Sequence, residues 1–235
     1  MLLASMKDVI FGYGSHPVLD GVQLELHQGE FVCLTGPNGA SKTTMLRLLL
    51  GLLKPWSGHI QMATHNEAGR KITYGYVPQQ VASFNRGFPS TVLELVRSGR
   101  YEKLGLFRRF TQREENIVEA CLKQVGMWEH RHAMIGELSG GQKQRICIAR
   151  TLAQEPDVFV LDEPTAGMDE ETRKGFYAML QHHVTEHGRT VIMITHDMDE
   201  VEPYVDRRIQ LERGERGGWK CFSTALCNVH FGPGD

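Results

Sequence analysis

The stretch Gly36-Pro-Asn-Gly-Ala-Ser-Lys-Thr-Thr44 decides the fold of this 235-residue chain. It follows the apolar run Phe31-Val-Cys-Leu34 and precedes a stretch at 42–53 that is typical of a helix. A glycine-rich turn between a buried strand and a helix presents successive backbone N–H groups to an anion, as a phosphate-binding loop does. We expect Lys42 to reach the β- and γ-phosphates of a nucleotide and Thr43 to offer a hydroxyl group to Mg²⁺. A glycine-rich turn without a ligand is the alternative, and it leaves the Lys-Thr-Thr sequence at this offset unexplained.

One position of the loop departs from the usual pattern Gly-x-x-x-x-Gly-Lys-Ser/Thr, because Ser41 replaces the second glycine. A glycine would be required there if the position had a positive φ or no room for a side chain. If the residue instead begins the helix with a negative φ, serine is acceptable and supplies an extra hydroxyl group. We expect the negative φ.

A second apolar run, Val158-Phe-Val-Leu-Asp-Glu163, ends in two carboxylates. Beside a phosphate loop, Asp162 would hold the Mg²⁺ ion and Glu163 would polarise the attacking water. In isolation the same residues would indicate only a strand that ends in a solvated acidic turn. The loop at 36–44 favours the catalytic interpretation.

The stretch Leu138-Ser-Gly-Gly-Gln-Lys-Gln-Arg145 precedes apolar residues at helical spacing. Ser139 stands where an N-cap is expected, and Gly140 and Gly141 leave backbone N–H groups open to an anion. The pattern therefore indicates a second anion-binding helix start. A capped helix after a flexible loop is the alternative.

The remaining pattern predicts one α/β domain with a parallel core. Alternation around Val22-Gln-Leu-Glu-Leu26 predicts short antiparallel strands near the N-terminus. A helical and polar stretch at about 80–155 predicts an inserted helical subdomain. Further segments are apolar runs at 158–161 and 191–194, a helix at 170–187 between them, a hairpin after 206 and a tail at about 213–235.

Composition narrows the functional classes. The 26 Lys and Arg nearly balance the 28 Asp and Glu, so the summed charge gives no reason to expect a nucleic-acid partner. The five cysteines are an odd and irregularly spaced set, which indicates a reducing compartment. The longest apolar stretch, Met45–Leu53, is interrupted by Arg47 and is far shorter than the roughly 20 residues that cross a bilayer. We expect a cytosolic chain that only another chain could hold at a membrane.

Together these motifs resemble the ATP-binding cassette family of transport ATPases, from Asp8 to Glu212. The resemblance identifies the Walker A loop (36–44), the Q-loop glutamine Gln79, the LSGGQ motif (138–142), the Walker B end (161–163), the D-loop (166–169) and the H-loop residue His196. It implies that ATP contacts Tyr13, Gly36, Pro37, Asn38, Gly39, Ala40, Ser41, Lys42, Thr43 and Thr44, with Tyr13 stacked on adenine. It implies the catalytic residues Glu163, His196 and Gln79, and the Mg²⁺ ligands Thr43, Gln79 and Asp162.

The resemblance also implies partners. The family forms head-to-tail dimers, in which Ser139, Gly140, Gly141, Gln142 and Asp169 would contact the ATP bound by the other copy. It implies a homodimer of cassettes beneath a membrane permease, at the cytoplasmic face of a bacterial membrane. An extracytoplasmic metal-binding protein would be reached through the permease. The nearly balanced charge leads us to expect no nucleic acid among the partners. The stretches 84–101 and 217–222 look like the ATPase subunits of zinc and manganese uptake systems, the zinc branch most of all.

Other functions remain open at the level of sequence. A manganese or iron importer is an alternative within the family, and a soluble cassette that acts on DNA or ribosomes is another. A third is a regulatory nucleotide-binding module that has lost turnover through Ser41.

Phe84 and Phe88 are expected to contact the permease. A loop held in place by buried aromatic rings is the alternative explanation for them.

Two groups of residues invite a zinc interpretation. Cys221, Cys227 and His230 cluster near the C-terminus and supply soft or borderline ligands, but their spacing matches no standard zinc module. Weak zinc binding by these three residues is a hypothesis, and no binding is the alternative. The histidines at 130, 132, 182, 183 and 187 are expected to lie on solvated surfaces.

Overall fold

The computed structural model describes residues 1–79, 89–104, 109–214 and 217–225. Its strands are β1 (Leu2–Phe11), β2 (Leu19–His27), β3 (Phe31–Thr35), β4 (Ser57–Met62), β5 (Tyr74–Val77), β6 (Val158–Asp162), β7 (Thr190–Ile194), β8 (Arg207–Arg213) and β9 (Trp219–Ala225). Its α-helices are α1 (Lys42–Leu49), α2 (Val92–Ser98), α3 (Tyr101–Leu104), α4 (Gln112–Gln124), α5 (Gly140–Ala153), α6 (Glu170–His187) and α7 (Met198–Val201). The chain divides into two compact units, Met1–Ile72 with Tyr177–Asp235, and Thr73–Phe176.

The first unit begins with the predicted antiparallel strands. β1 pairs with β2 on one side and with β4 on the other, both antiparallel. In β2 the apolar residues Val22, Leu24 and Leu26 are buried and alternate with less buried polar ones, the pattern of a sheet with one covered face. The expected antiparallel subdomain is therefore present.

The core of the same unit is parallel. β3 lies between β7 and β8 and is parallel to both, and all five of its residues are buried. A strand covered on both faces reads as a continuous apolar run, which explains Phe31-Val-Cys-Leu34. β8 forms an antiparallel hairpin with β9, so part of the segment assigned to a tail is a strand of the sheet. The strand order in this unit is β4-β1-β2-β9-β8-β3-β7.

Helix α1 is shorter than the sequence pattern predicted, because Gly51 ends it. Gly51 has φ 68°, and its N–H donates to the carbonyl oxygen of Leu48 at 2.9 Å. The N–H of Leu52 donates to the carbonyl oxygen of Arg47 at 2.8 Å. These two bonds are the Schellman arrangement that closes a helix with a left-handed glycine.

The second unit combines the parallel pair β5 and β6 with helices α2, α4 and α5, which pack on one another. Buried Arg100, just after α2, forms an ion pair with Glu114 of α4. It also donates at 2.6 Å to the carbonyl oxygen of Ala153 and at 2.8 Å to Glu155. Burial alone would raise the pKa of Glu155, but hydrogen bonds from Arg100 and Lys103 lower it to about 2. One buried cation thus ties the ends of three helices together.

No helix within the described ranges is long and apolar enough to cross a membrane.

Candidate nucleotide-binding site

The phosphate loop joins β3 to α1 in the first unit. Gly36 has φ 150° and Gly39 φ 80°, values that favour glycine. A β-carbon on Gly36 would also lie 3.1 Å from both the Cβ and the carbonyl oxygen of Leu211, so this position has little room for a side chain. Lys42 is buried, and its Nζ donates to the carbonyl oxygens of Gly36 at 2.8 Å and Pro37 at 3.0 Å. The loop therefore curves around a lysine ammonium group, the arrangement that binds phosphate.

The expected negative φ at Ser41 is wrong. Ser41 has φ 60° and ψ 26°, the left-handed region, and its side chain makes no capping hydrogen bond to α1. The reason is the entry into the helix: the chain leaves the loop through the conformation for which the usual pattern supplies glycine. Serine fits, but at the cost of backbone strain.

Tyr13 stands close to this loop, on the connection between β1 and β2. The residue is 65% exposed, and its ring packs edge-on against Phe11, with ring centroids 5.1 Å apart. Its hydroxyl group lies 3.0 Å from the Oγ1 of Thr44, in the first turn of α1. An exposed aromatic face hydrogen-bonded to the phosphate-loop helix is suited to a nucleotide base.

His196 follows β7, and the strand register brings its loop beside the phosphate loop. Leu34 of β3 pairs with Ile194 of β7 in parallel, and Gly36 and His196 each stand two residues further along. The carboxyl ends of parallel strands share one edge of a sheet, where open α/β proteins bind ligands. His196 is exposed at that edge.

The pairing of β5 with β6 likewise places Gln79 and Glu163 at one edge of the parallel strands in the second unit. Val77 of β5 pairs with Leu161 of β6, and Gln79 and Glu163 each follow two residues later. The Nε2 of Gln79 donates to the Oε2 of Glu163 at 2.7 Å. Glu163 has φ 49°, so the backbone is strained where the predicted catalytic carboxylate stands. The structure therefore brings together two of the three predicted catalytic side chains.

Asp162, immediately before Glu163, is 1% exposed at the end of β6. The residues predicted to hold Mg²⁺ present a carboxylate from Asp162, a hydroxyl group from Thr43 and an amide oxygen from Gln79. All three are hard oxygen donors, and Mg²⁺ prefers these ligands. The donor chemistry thus fits the ion.

The start of α5 has the predicted cap. The Oγ of Ser139 accepts from the N–H of Gln142 at 3.3 Å, and Gln142 returns a bond to the N–H of Ser139 at 3.0 Å. A β-carbon on Gly140 would meet no described atom within 4 Å, so this glycine faces open space. These features leave the helix N-terminus accessible to an anion.

Asp169 of the D-loop caps the next helix. Both of its carboxylate oxygens accept from Thr172, one from the N–H and one from the hydroxyl group, each at 2.9 Å. The backbone hydrogen bond from Thr172, more than any other interaction, lowers the pKa of Asp169. Asp169 is exposed and therefore carries a fixed negative charge at the start of α6.

The speculative zinc residues divide between described and masked positions. Cys221 lies in β9, with its Sγ 3.6 Å from the Sδ of Met45, and burial raises its pKa to about 12. Cys227 and His230 lie outside the described residues, as do Phe84 and Phe88.

The histidines of α6 cluster at its end, with ring centroids 5.2 Å apart for His182 and His187 and 5.5 Å for His183 and His187. His182 and His187 are exposed and His183 is half-buried, in line with a solvated surface. Across the described parts of the chain, no three or more His, Cys, Asp or Glu side chains are arranged to hold a metal ion.

Sequence analysis missed two residues beside these sites. Gln144 of α5 is buried, and its Nε2 donates at 3.3 Å to the carbonyl oxygen of Pro78, directly before Gln79. Its place four residues before buried Ile148 was an available signal, because the two share a helix face. Trp56 packs against the Tyr13 connection, and no local pattern indicates that contact.

The loop around Lys42 in the first unit is typical of a phosphate-loop nucleotide-binding protein. The family model described as ABC transporter matches residues 19–166. The chain belongs to the ABC transporter family, as the sequence motifs predicted. The predicted fold class, an ABC cassette with a parallel core and an antiparallel subdomain, is also confirmed.

Relatives sharpen this assignment. The chain is 54% identical over 231 residues to the high-affinity zinc uptake system ATP-binding protein ZnuC of Bacillus subtilis (strain 168), covering 98% of this chain and 100% of that protein. It is 49% identical over 230 residues to the zinc transport system ATP-binding protein AdcC of Streptococcus pneumoniae (strain ATCC BAA-255 / R6), covering 98% and 96%. The manganese transport system ATP-binding protein MntB of Bacillus subtilis (strain 168) is 35% identical over 206 residues, covering 88% and 82%.

Among solved structures, the chain is similar to the ATP-binding cassette MJ0796, a dimer in a post-hydrolysis state bound to ADP and Pi. The TM-score is 0.77 at 29% identity, with 95% of this chain and 99% of that chain covered.

Proposed function

We propose that this chain is the ATP-hydrolysing subunit of an ABC importer and that it powers uptake of a divalent metal ion, zinc, through a membrane permease. The observation that carries the ATPase part is Lys42, buried and held by the carbonyl oxygens of Gly36 and Pro37 inside a phosphate loop. The zinc part rests on the relatives named for zinc uptake, which are similar over nearly the whole chain.

In this proposal ATP lies along the first unit. The exposed ring of Tyr13 stacks on adenine, and the loop from Gly36 to Thr44 binds the phosphates through its N–H groups and Lys42. Mg²⁺, when bound, neutralises developing charge on the phosphates; Thr43, Asp162 and Gln79 would hold it.

Glu163 orients and deprotonates the attacking water. The 2.7 Å hydrogen bond from Gln79 keeps its carboxylate in one orientation and links it to the segment that begins at residue 80. His196, at the shared edge of β3 and β7, contacts the γ-phosphate. Each role uses a side chain at the carboxyl end of a strand.

Two copies of the chain sandwich each ATP. The exposed start of α5 supports this arrangement, because Gly140 and Gly141 offer N–H groups that an anion from a second copy can reach, and the side chains of Ser139 and Gln142 flank them. Asp169, on the D-loop, contacts the ATP bound by the other copy. The dimeric cassette bound to ADP and Pi is a structural relative with which this arrangement agrees.

The proposed partners are a membrane permease and, through it, an extracytoplasmic metal-binding protein. The chain would be a peripheral subunit at the cytoplasmic face. Nucleic acid is not among the proposed partners, because the charge of the chain is nearly balanced.

Manganese is the second candidate cargo, favoured by the 35% identity to a manganese transport subunit. The residues of the site do not discriminate, because the ATPase binds nucleotide and never the transported ion. Cargo must therefore be tested in cells.

The experiment has two parts. In vitro, ATP hydrolysis by the purified chain is measured with and without its permease, and stimulation by the permease is expected. In cells that lack the gene, zinc accumulation should fall and be restored by the wild-type chain but not by Glu163→Gln. Unchanged zinc uptake with a manganese defect would overturn zinc as the cargo. A rate of hydrolysis that the permease does not change would indicate a non-transport cassette.

A further inference from the structure

Trp56 lies against the turn that carries Tyr13. A β-carbon built on Gly12 would lie 2.5 Å from Cη2 and 2.7 Å from Cζ2 of Trp56, so the indole edge packs directly on the backbone of Gly12. It would also overlap the carbonyl oxygen of His16. Only glycine fits between the ring and this turn, immediately before Tyr13.

Both partners of this contact are anchored. The N–H of Trp56 donates at 2.9 Å to the carbonyl oxygen of Ile10, in the last part of β1. The turn is closed by the N–H of Val18, which donates at 2.8 Å to the carbonyl oxygen of Phe11. The indole ring therefore supports the turn from a fixed position on the sheet.

The ring of Tyr13 is positioned from other directions. Phe11 meets its edge, and Thr44 pairs with its hydroxyl group at 3.0 Å. These contacts set the plane of the ring, while Trp56 sets the backbone from which it projects. Trp56 remains 48% exposed, so its place in the fold is not explained by burial of apolar surface alone.

We propose that Trp56 is a positioning residue for recognition of the nucleotide base: by packing on Gly12 it holds Tyr13 where it stacks on adenine. This inference rests on the proposed function, because it requires that Tyr13 bind the base. It assigns no contact between Trp56 and the nucleotide. A side chain that acts only through Tyr13 should change binding of the base and not of the phosphates.

The test compares the affinity for ATP with the affinity for inorganic tripolyphosphate, which has no base. Trp56→Ala should weaken ATP binding about tenfold, within the range for loss of one base–aromatic stack, and leave tripolyphosphate binding unchanged. Tyr13→Ala should do the same, and the double variant should be no weaker than Tyr13→Ala alone, because both act through one contact. Trp56→Phe keeps a flat ring and should bind ATP nearly as the wild type does.

Two matched controls separate this role from general damage. Leu52→Ala removes an exposed apolar side chain from the same connection and should affect neither ligand. Gly12→Ala should weaken ATP binding, whereas Gly14→Ala should not, because a β-carbon on Gly14 meets no described atom within 4 Å. If Trp56→Ala does not fold, Trp56→Leu carries the same comparison.

The outcomes are distinct. If Tyr13→Ala weakens ATP binding and Trp56→Ala does not, the positioning role is overturned and the proposed function stands. If Trp56→Ala weakens both ligands equally, its role is general stability and the inference fails. If Tyr13→Ala leaves ATP binding unchanged, Tyr13 does not stack on adenine. That contact is then removed from the proposed function, and the positioning role of Trp56 fails with it.

Discussion

The left-handed conformation of Ser41 predicts an increase in stability when this residue is replaced by glycine. A residue with a β-carbon pays roughly 1–2 kcal/mol in this region, and glycine does not. Glycine also loses more conformational freedom on folding, which costs about 0.4–1 kcal/mol. The serine side chain makes no capping hydrogen bond, so no helix cap is lost with it. Ser41→Gly should therefore stabilise the chain by about 0.5–1 kcal/mol.

Thermal and denaturant unfolding measure this difference. For a chain of this size the gain corresponds to a rise in Tm of about 1–4 °C.

Two variants serve as controls. Ser41→Ala keeps the strain, and its free energy of unfolding should stay within about 0.5 kcal/mol of the wild-type value. Arg47→Gly is the matched control, because Arg47 is an exposed interior residue of α1, where glycine costs about 1 kcal/mol. ATP affinity should change by less than about tenfold, since the loop already has the conformation that glycine favours. A loss of stability in Ser41→Gly similar to that in Arg47→Gly would refute the reasoning.

Further variants test the proposed roles. Glu163→Gln should preserve ATP binding and lower turnover by at least about 100-fold, the usual scale for losing a general base; wild-type turnover would remove Glu163 from that role. Lys42→Ala should abolish ATP binding, because it removes the charge inside the loop, while Lys54→Ala, at an exposed position shortly after α1, should not; equal binding by both variants would contradict the loop assignment. Burial would raise the pKa of Glu155, but its hydrogen bonds from Arg100 and Lys103 lower it to about 2, below the ordinary value of 4.5. The folded state then binds fewer protons than the unfolded state, so the contribution of Glu155 to stability is complete above pH 4.5 and is lost as the pH falls towards 2. Glu155→Gln should therefore flatten the dependence of Tm on pH in that window. An unaltered profile would count against the ion pairs.

Local signals in the sequence were sufficient where neighbouring residues decide the structure. Helix α6 was predicted at 170–187 and has those bounds, because its periodicity is long and uninterrupted. The cap at Ser139 formed as expected, since a capping box depends on residues three positions apart. The end of α1 was missed because apolar residues continue past Gly51, and the helical pattern outweighed the one residue that terminates it.

Contacts between distant residues could not be predicted in the same way. The pair of Gln79 and Glu163 depends on the register of β5 on β6, which neither strand specifies alone. Trp56 meets Gly12 because Gly12 directly follows β1 and Trp56 is hydrogen-bonded to the end of the same strand. The two residues are 44 positions apart in the sequence. The family resemblance supplied proposed roles for residues within its motifs, but it carried no information about residues outside them.

The backbone at Ser41 and Glu163 shows a further limit of sequence patterns. Among the described residues, the non-glycine positions with positive φ are Asp8, Ser41, Glu155 and Glu163. Two of these have proposed roles in ATP hydrolysis: Ser41 at the junction of loop and helix in the first unit, and Glu163 just after β6 in the second. Strain of this kind persists only where the surrounding structure imposes it. At Ser41 glycine would relieve the strain and keep the backbone N–H that the proposed phosphate loop uses, whereas at Glu163 glycine would remove the carboxylate that the proposed reaction requires. The strain of a positive φ can therefore be removed by substitution at Ser41. At Glu163 it cannot be removed in this way, because the proposed chemistry needs the side chain.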